Sequence, residues 1–355
     1  MKDYQNILIV RTDRIGDVVL TTPAITALRE AYLGIKISVL VAPQTRDIVE
    51  GNPCLDEVII DDRKGRHRGF FGFLKLALTL RKKKFDLAII FHTKKRTNLL
   101  CFLAGIPHRV GYRNNKFGFL LTEKIKDARP EGTKHETEYC LNILRHIGMD
   151  IKTNTIKLHM PIKKESEDWA ERLFAEVTEG SLLNSDYVIT IHPGASCISK
   201  RWPAKRFAEL IDQLKEKYSA KIILIGGADN KKIAEEIKFM IKNPIIDLTD
   251  QTSVSELASL FKRCHLLISN DSGPVHVAVA VGTPVISIFG RNQAGLSPVR
   301  WRPLGEKDIV LHKEVGCEVC LAHNCMIGFE CLEAITTNDV LEGVTSLLTP
   351  LTHMG

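Results

Sequence analysis

Residues 270–274, Asn-Asp-Ser-Gly-Pro, have types and spacing suited to binding a phosphate group. They follow a short apolar run and precede a helical pattern with a proline in its first turn. The N–H groups and positive end of such a helix attract anions, Gly273 lets the backbone approach closely, and Ser272 adds a hydroxyl donor. His276 lies one turn further along. The alternative is an ordinary helix start that Asp271 or Ser272 caps.

A second loop, residues 192–203, combines small residues with a nearby cation. Gly-Ala-Ser at 194–196 precedes Lys200, which can act as a point charge on a pyrophosphate. The loop lacks the G-x-x-x-x-G-K-[ST] pattern, which disfavours a P-loop NTPase. Asp229, just after another apolar run, can accept hydrogen bonds from a ribose diol. The alternatives are a solvated lysine and a turn-forming aspartate.

The first half of the chain places two acids and two arginines directly after its first apolar run, in Arg-Thr-Asp-Arg-Ile-Gly-Asp at residues 11–17. Asp17 can deprotonate a hydroxyl as a general base, or can stabilise a helix start as a first-turn acid. Arg11, Asp13 and Arg14 are candidates for binding the molecule that carries this hydroxyl, the acceptor side of such a site. The segment lacks G-x-G-x-x-G, which removes the main support for a nicotinamide or flavin oxidoreductase.

Strand-like apolar runs alternate with helical patterns along the chain, which predicts an α/β protein with parallel sheets covered on both faces. Strands are predicted at 6–10, 36–41, 57–60, 86–91, 109–112, 187–191, 221–225, 266–269 and 285–289. Ligands of such sheets bind where the carboxyl ends of strands enter loops, so the polar loops above should line sheet edges. We predict two Rossmann-like domains, residues 1–165 and 186–355, with a linker region at 166–185.

Length and composition exclude several classes of protein. The chain has 355 residues, 44% hydrophobic and 26% charged, which fits two globular domains and excludes a disordered or fibrous protein. The net charge of +7 divides unevenly: residues 1–160 have 28 Lys and Arg against 17 Asp and Glu (+11), and residues 161–355 have 21 against 25 (−4). The basic half predicts an anionic partner. The sequence predicts neither a signal peptide nor a membrane span, since no apolar run reaches roughly 18–20 residues.

Four of the nine cysteines cluster near the C-terminus, at Cys317, Cys320, Cys325 and Cys331. The first two have the C-x-x-C spacing of zinc sites, and four thiolates this close together can also bind an iron–sulfur cluster. The later intervals match no standard zinc finger. A structural metal site and a group of free thiols both remain open.

Together these motifs resemble glycosyltransferase family 9, the bacterial heptosyltransferases of lipopolysaccharide core assembly. The resemblance is carried by residues 7–24 (Ile-Leu-Ile-Val-Arg-Thr-Asp-Arg-Ile-Gly-Asp-Val-Val-Leu-Thr-Thr-Pro-Ala), Gly-Asn-Pro-x-x-Asp-Glu-Val at 51–58, His-Pro-Gly-Ala-Ser at 192–196 with Lys-Arg-Trp-Pro at 200–203, and Ser-Asn-Asp-Ser-Gly-Pro-x-His at 269–276. It implies a GT-B fold, in which two Rossmann-like domains face across a cleft and bind the acceptor and the nucleotide sugar respectively. It also implies an inverting, metal-independent transfer of heptose from ADP-L-glycero-D-manno-heptose to the lipopolysaccharide inner core, with no cofactor required.

By position, the resemblance implies that Asp17 is the catalytic base and that Lys200 binds phosphate. Ser196 falls where a hydroxyl contacts the phosphates, and Asp229 falls where an acid contacts the ribose. The loop that holds the pyrophosphate and sugar corresponds to Asp271, Ser272, Gly273 and His276. Ala195 stands where some members carry a second hydroxyl, so a different nucleotide sugar remains open.

The resemblance implies a role for the basic residues of the first half of the chain. They can meet the phosphates and carboxylates of a lipid A–Kdo acceptor, or the anionic inner face of the inner membrane, which predicts a cytoplasmic, peripherally bound enzyme. These residues are Arg63, Lys64, Arg66, Arg68 and those at 81–84 and 94–96. Phe70, Phe71 and Phe73 can add a shallow membrane contact or pack in the core. No nucleic-acid partner is expected, because no reading motif accompanies the charge.

Two other functions remain open. One is a non-catalytic nucleotide- or polyanion-binding module, which has little reason to keep Asp17, Lys200 and the 270–276 loop together. The other is a GT-B enzyme that acts on another nucleotide sugar, such as an epimerase, for which the basic first domain has no use.

Overall fold

A computed structural model describes residues 4–32, 34–149, 151, 156–179 and 187–348. The chain forms two compact units that divide between Pro161 and Ile162. Each unit contains one six-stranded sheet in which all neighbouring strands are parallel. Among the described residues, no helix combines the length and the apolar character that crossing a bilayer demands.

The first unit alternates strands and helices around a central strand pair. In chain order it contains β1 (Asn6–Val10), α1 (Ile15–Val19), α2 (Thr22–Ala31), β2 (Lys36–Val41), β3 (Glu57–Ile60), α3 (Gly69–Lys82), β4 (Leu87–Ile90), α4 (Lys95–Leu103), β5 (His108–Tyr112), β6 (Glu123–Ile125) and α5 (Glu136–His146). The strand order is β3-β2-β1-β4-β5-β6. The chain leaves β1 toward one edge and continues from β4 toward the other, so the strand order reverses between β1 and β4.

The central strands of this sheet are apolar on both faces because helices cover both faces. Leu8 and Val10 of β1 pack in a cluster to which α3 contributes Phe73, Leu76 and Leu80. Of the three phenylalanines considered for membrane contact, Phe73 is therefore a core residue.

The second unit repeats this plan. It contains α6 (Lys164–Glu179), β7 (Val188–His192), α7 (Ala204–Tyr218), β8 (Lys221–Leu224), α8 (Lys231–Met240), β9 (Ile246–Asp247), α9 (Val254–Arg263), β10 (Leu266–Asn270), α10 (Gly273–Ala280), β11 (Val285–Phe289), α11 (Pro298–Trp301), β12 (Ile309–His312), α12 (Glu330–Glu333) and α13 (Thr337–Leu348). The strand order is β12-β11-β10-β7-β8-β9, which reverses between β7 and β10. Trp202 is fully buried and its indole N–H donates to the Ile335 carbonyl at 2.9 Å.

The predicted strands all form, with ends within one residue of the prediction, and the α/β class with two Rossmann-like units is confirmed. The short strands β6, β9 and β12 and the helices α11, α12 and α13 were not predicted. In the predicted linker region, residues up to 179 belong to α6, which packs against α9 of the second unit through an ion pair between Glu167 and Lys262 at 3.0 Å. Residues 180–185 of that region lie outside the described residues.

Candidate active site

In the first unit, the loops after β1 and β4 meet around one buried arginine, Arg11, which is 2% exposed. Its Nη2 lies 2.6 Å from Asp17 Oδ1 and 2.9 Å from Glu136 Oε1, and its Nε lies 3.2 Å from Asp13 Oδ2. Its Nη1 donates to the Phe91 carbonyl at the end of β4, at 3.0 Å. One guanidinium is therefore shared by three carboxylates where the strand order reverses, which is the usual place for a ligand in such sheets.

Asp17 is the most accessible of these three acids. It lies in the first turn of α1, but its carboxylate pairs with Arg11, and the N-cap of that helix is Arg14, whose side chain makes no capping bond. The Asp17 side chain is 19% exposed, whereas that of Glu136 is 1% exposed. The Asp17 carboxylate is therefore accessible from solvent, whereas that of Glu136 is not.

The environments of Asp13 and Asp17 shift their pKa values in opposite directions. Burial raises the pKa of Asp17; Arg11 opposes this, and the charges of Asp13 and Glu136 raise the pKa further. Burial also disfavours ionised Asp13, but neighbouring positive charges outweigh it and lower the pKa of Asp13 to about 2. Lys94 is one of these cations and forms an ion pair with Asp13. Such a divergence marks Asp17 as the carboxylate suited to exchanging a proton, and Asp13 as a permanent anion.

The residues predicted for the acceptor side separate by burial. Arg11 is buried and Asp13 is held by Arg11 and Lys94, whereas Arg14 is exposed. Of these three, Arg14 is therefore the one most accessible to solvent.

In the second unit, the loops after β7 and β10 meet around one buried aspartate, Asp271. Lys200 Nζ lies 2.7 Å from Asp271 Oδ2 and donates to the Asp271 carbonyl at 3.2 Å. Arg291 Nη2 lies 3.6 Å from the same carboxylate oxygen. Lys200 is thus a largely buried, positioned cation, and the two cations exceed the charge of the one acid they share.

Ser272 is the N-cap residue of α10, yet its side chain makes no capping hydrogen bond to the helix. Its Oγ lies 3.0 Å from His192 Nδ1 and 3.0 Å from Ser269 Oγ. Burial lowers the pKa of His192 to about 4, so that imidazole is neutral at pH 7. The neutral ring fixes the Ser272 hydroxyl at the start of α10, one turn before the buried His276.

The remaining predicted donor residues lie in the same set of loops. Ser196 is exposed in the loop after β7, and Gly273 is the first residue of α10. Asp229 is exposed after β8, near enough for its charge to raise the pKa of His192 against the effect of burial. Gly194 allows these loops to cross, because a Cβ there would lie 2.3 Å from Asn230 Nδ2.

Sequence reasoning missed two charged residues of these sites, Glu136 and Arg291. Arg291 comes just after β11, so the rule that ligands bind after strand ends would have found it. Glu136 begins α5, 125 positions from Arg11, and no spacing signal joins the two.

The four clustered cysteines line one cavity of about 150 Å³, whose wall also includes Ser199 and Arg291. His323 of the same segment contacts Ser199, with Nδ1 3.0 Å from its Oγ, which ties the segment to the Lys200 loop. All nine cysteines are free. Within the ranges that the structure describes, no group of three or more His, Cys, Asp or Glu side chains is arranged to hold a metal ion. A zinc or iron–sulfur site at these cysteines stays a prediction from their spacing.

Fold and sites together define an α/β protein with two Rossmann-like units, each with a charged site where its strand order reverses. A model of glycosyltransferase family 9 (heptosyltransferase) matches residues 73–329. The chain therefore belongs to glycosyltransferase family 9 and is a glycosyltransferase.

Relatives and solved structures match over almost the full chain. Lipopolysaccharide heptosyltransferase 3 of Escherichia coli (strain K12) is 30% identical over 342 residues, 94% of this chain and 95% of that relative. The crystal structure of a family 9 glycosyl transferase from Veillonella parvula has a TM-score of 0.87 at 28% identity and covers 98% of both chains. The E. coli ADP-heptose lps heptosyltransferase II has a TM-score of 0.79 at 24% identity, over 97% of this chain and 98% of that one. The predicted GT-B fold class is thereby confirmed.

Proposed function

We propose that this protein transfers heptose from an ADP-heptose to the inner core of lipopolysaccharide, with inversion and with Asp17 as the general base. The observation that carries the proposal is the accessible carboxylate of Asp17, whose pKa is raised where the first sheet reverses its strand order. Relatives named as lipopolysaccharide heptosyltransferases support the substrates.

Asp17 acts on the acceptor. As the acceptor oxygen attacks the anomeric carbon from the face opposite the leaving ADP, the carboxylate takes the hydroxyl proton. Arg11 holds the carboxylate oxygen at 2.6 Å and is itself fixed by Glu136. This anchoring keeps Asp17 oriented, and the neighbouring acids keep it basic.

The second unit stabilises the leaving group. Negative charge that develops on the departing pyrophosphate meets Lys200, Arg291 and the N-terminal end of α10, with the Ser272 hydroxyl beside them. In this proposal Ser196 also contacts the phosphates and Asp229 the ribose. Fixed positive charges take the place of a metal ion, and we expect transfer to continue in excess EDTA.

The acceptor we propose is an anionic glycolipid of the lipid A–Kdo type, reached from the cytoplasmic face of the inner membrane by a peripherally bound enzyme. The excess of basic residues in the first half of the chain supports this, since they match the phosphates and carboxylates of such an acceptor.

Incubation with ADP-heptose and a panel of truncated core acceptors, followed by mass spectrometry, tests the function. We expect a mass increase of one heptose on at least one acceptor. NMR of the product should show an anomeric configuration opposite to that of the heptose in the donor. Asp168→Asn, a change of an exposed acid on α6, is the matched control for Asp17→Asn. If no acceptor gains a heptose while another nucleotide sugar is consumed, the alternative donor is the correct one. If the protein binds ADP but no sugar is transferred from any donor, it is a non-catalytic module.

A further inference from the structure

Helix α3 of the first unit is apolar on two opposite faces. One face packs in the core through residues such as Phe73, Leu76 and Leu80. The other exposes Phe71 (84%), Phe70 (70%), Leu78 (50%) and Leu74 (36%). A surface helix normally presents polar residues to water, so contiguous exposed apolar side chains of this size indicate a binding surface.

These exposed side chains form a stripe with a cationic border. At 3.6 residues per turn, the four apolar residues fall within an arc of about 100°, and the rings of Phe70 and Phe71 contact each other edge to face at a centroid distance of 5.7 Å. Residues 63–84 contain nine Lys and Arg and no Asp or Glu. The stripe and its exposed basic neighbours, which we name the α3 face, are Lys64, Arg66, Arg68, Phe70, Phe71, Leu74, Lys75, Leu78, Arg81 and Lys82.

Among the residues that the structure describes, the cations of the α3 face form no ion pair, unlike two basic residues nearby, although the Asp62 carboxylate accepts a hydrogen bond from the Arg66 backbone N–H at 2.9 Å. Arg96 pairs with Asp61 at 2.7 Å, and Lys83 pairs with Glu57. By contrast, no ion pair is formed by the basic side chains of the α3 face within the described part of the chain. Their six positive charges far exceed the single negative charge of Asp62 and surround an apolar centre.

We propose that the α3 face binds the surface of an anionic lipid bilayer. In this arrangement the apolar stripe enters the boundary between head groups and acyl chains, and the basic side chains contact lipid phosphates. This proposal rests on the proposed function, because an acceptor that is anchored in lipid explains why the enzyme needs to contact a bilayer.

Charge and shape favour a bilayer over other occupants. A second copy of this chain would bring two cationic rims together, which electrostatic repulsion disfavours. A protein partner would have to supply pockets that fit the two projecting rings, whereas a fluid bilayer adapts to them. The anionic head groups supply the missing negative charge.

Co-sedimentation of the full chain with vesicles tests the proposal. The probes are vesicles of phosphatidylglycerol and phosphatidylcholine, and vesicles of phosphatidylcholine alone. We expect salt-sensitive binding to the first kind and at least tenfold weaker binding to the second. The double variant Phe70→Ser with Phe71→Ser should bind anionic vesicles at least tenfold more weakly, and Arg66→Gln with Arg68→Gln roughly tenfold or more.

Phe239→Ser is the matched control, because Phe239 on α8 is 92% exposed and lies in the other unit. It should bind vesicles as the unchanged protein does. Undiminished binding by the phenylalanine variant would show that charge alone drives binding, and would overturn the proposal that the α3 face enters the bilayer. If the protein forms a concentration-dependent dimer that the same variant abolishes, the occupant of the α3 face is a second copy of the chain and the bilayer proposal is wrong.

Activity separates this proposal from the function on which it rests. With a deacylated, water-soluble acceptor, the phenylalanine variant should transfer heptose at the unchanged rate, and with an acceptor embedded in anionic vesicles it should be slower. Transfer to the soluble acceptor without vesicle binding would overturn only the proposal that the α3 face binds a bilayer. Vesicle binding through the α3 face without transfer from ADP-heptose would overturn only the proposed function.

Discussion

The two charged sites are both built from acidic and basic side chains, but in opposite proportions. In the first unit three carboxylates, Asp13, Asp17 and Glu136, converge on the buried Arg11. In the second unit two cations, Lys200 and Arg291, converge on one buried aspartate. Both sites lie beyond the two strands between which the order of their sheet reverses, so the fold supplies the location and the charge balance distinguishes the sites.

The difference in balance assigns different chemistry to the two sites. Where acids outnumber the cation they share, the most exposed acid keeps a raised pKa and can accept a proton. Where cations outnumber the acid, that acid fixes the cations in place and the remaining positive charge attracts a phosphate. A transferase needs both properties, one for the attacking hydroxyl and one for the departing nucleotide.

Asp17→Asn should have the largest effect, because it removes the proton acceptor from the first site. We expect kcat to fall by about 10²–10⁴-fold, the usual contribution of a general base. Affinity for ADP, measured by calorimetry, should stay unchanged, since the proposed donor residues belong to the second unit. Turnover close to that of the unchanged enzyme would remove Asp17 from the mechanism and with it the division of roles between the sites.

Lys200→Met tests the second site. It should lower kcat by about 10²–10³-fold, the loss seen when one fixed donor to developing negative charge is removed, and should raise KM for the donor. Lys200→Arg keeps the charge beside Asp271 and is the control; it should recover part of the donor affinity. If the methionine variant keeps its donor KM and kcat, the excess of cations in this unit serves folding, which a loss of thermal stability would reveal.

Glu136→Gln sharpens the explanation of the raised pKa of Asp17. The variant keeps an oxygen for Arg11 but removes a negative charge that raises this pKa. The pKa of Asp17 should fall, so the acidic limb of the kcat/KM profile, along which activity drops as Asp17 becomes protonated, should move to lower pH. The effect on kcat at neutral pH should be smaller than for the two preceding variants. A purely structural role for Glu136 would lower stability and leave the limb where it is.

Local sequence patterns were sufficient to predict the loops that carry these sites, and insufficient to predict all of their partners. The strong apolar runs of β1, β4, β7 and β10 placed the Asp17, Lys200 and Asp271 segments at sheet edges. Glu136 meets Arg11 only through the packing of α5, which no local pattern encodes. The strands β6 and β9 have only three and two residues, too few for a clear periodic signal.

The smallest expected effect belongs to Arg291→Gln. Arg291 lies 3.6 Å from Asp271, compared with 2.7 Å for Lys200, so it is the weaker partner of that acid. We expect about a fivefold rise in donor KM, equivalent to ~1 kcal/mol, with kcat nearly unchanged, and Arg291→Lys as the control should restore most of the affinity. If Arg291→Gln were as harmful as Lys200→Met, the two cations would act as one unit around Asp271. The second site would then need both cations together, as the first site needs its three acids. The two sites would differ only in the sign of their excess charge.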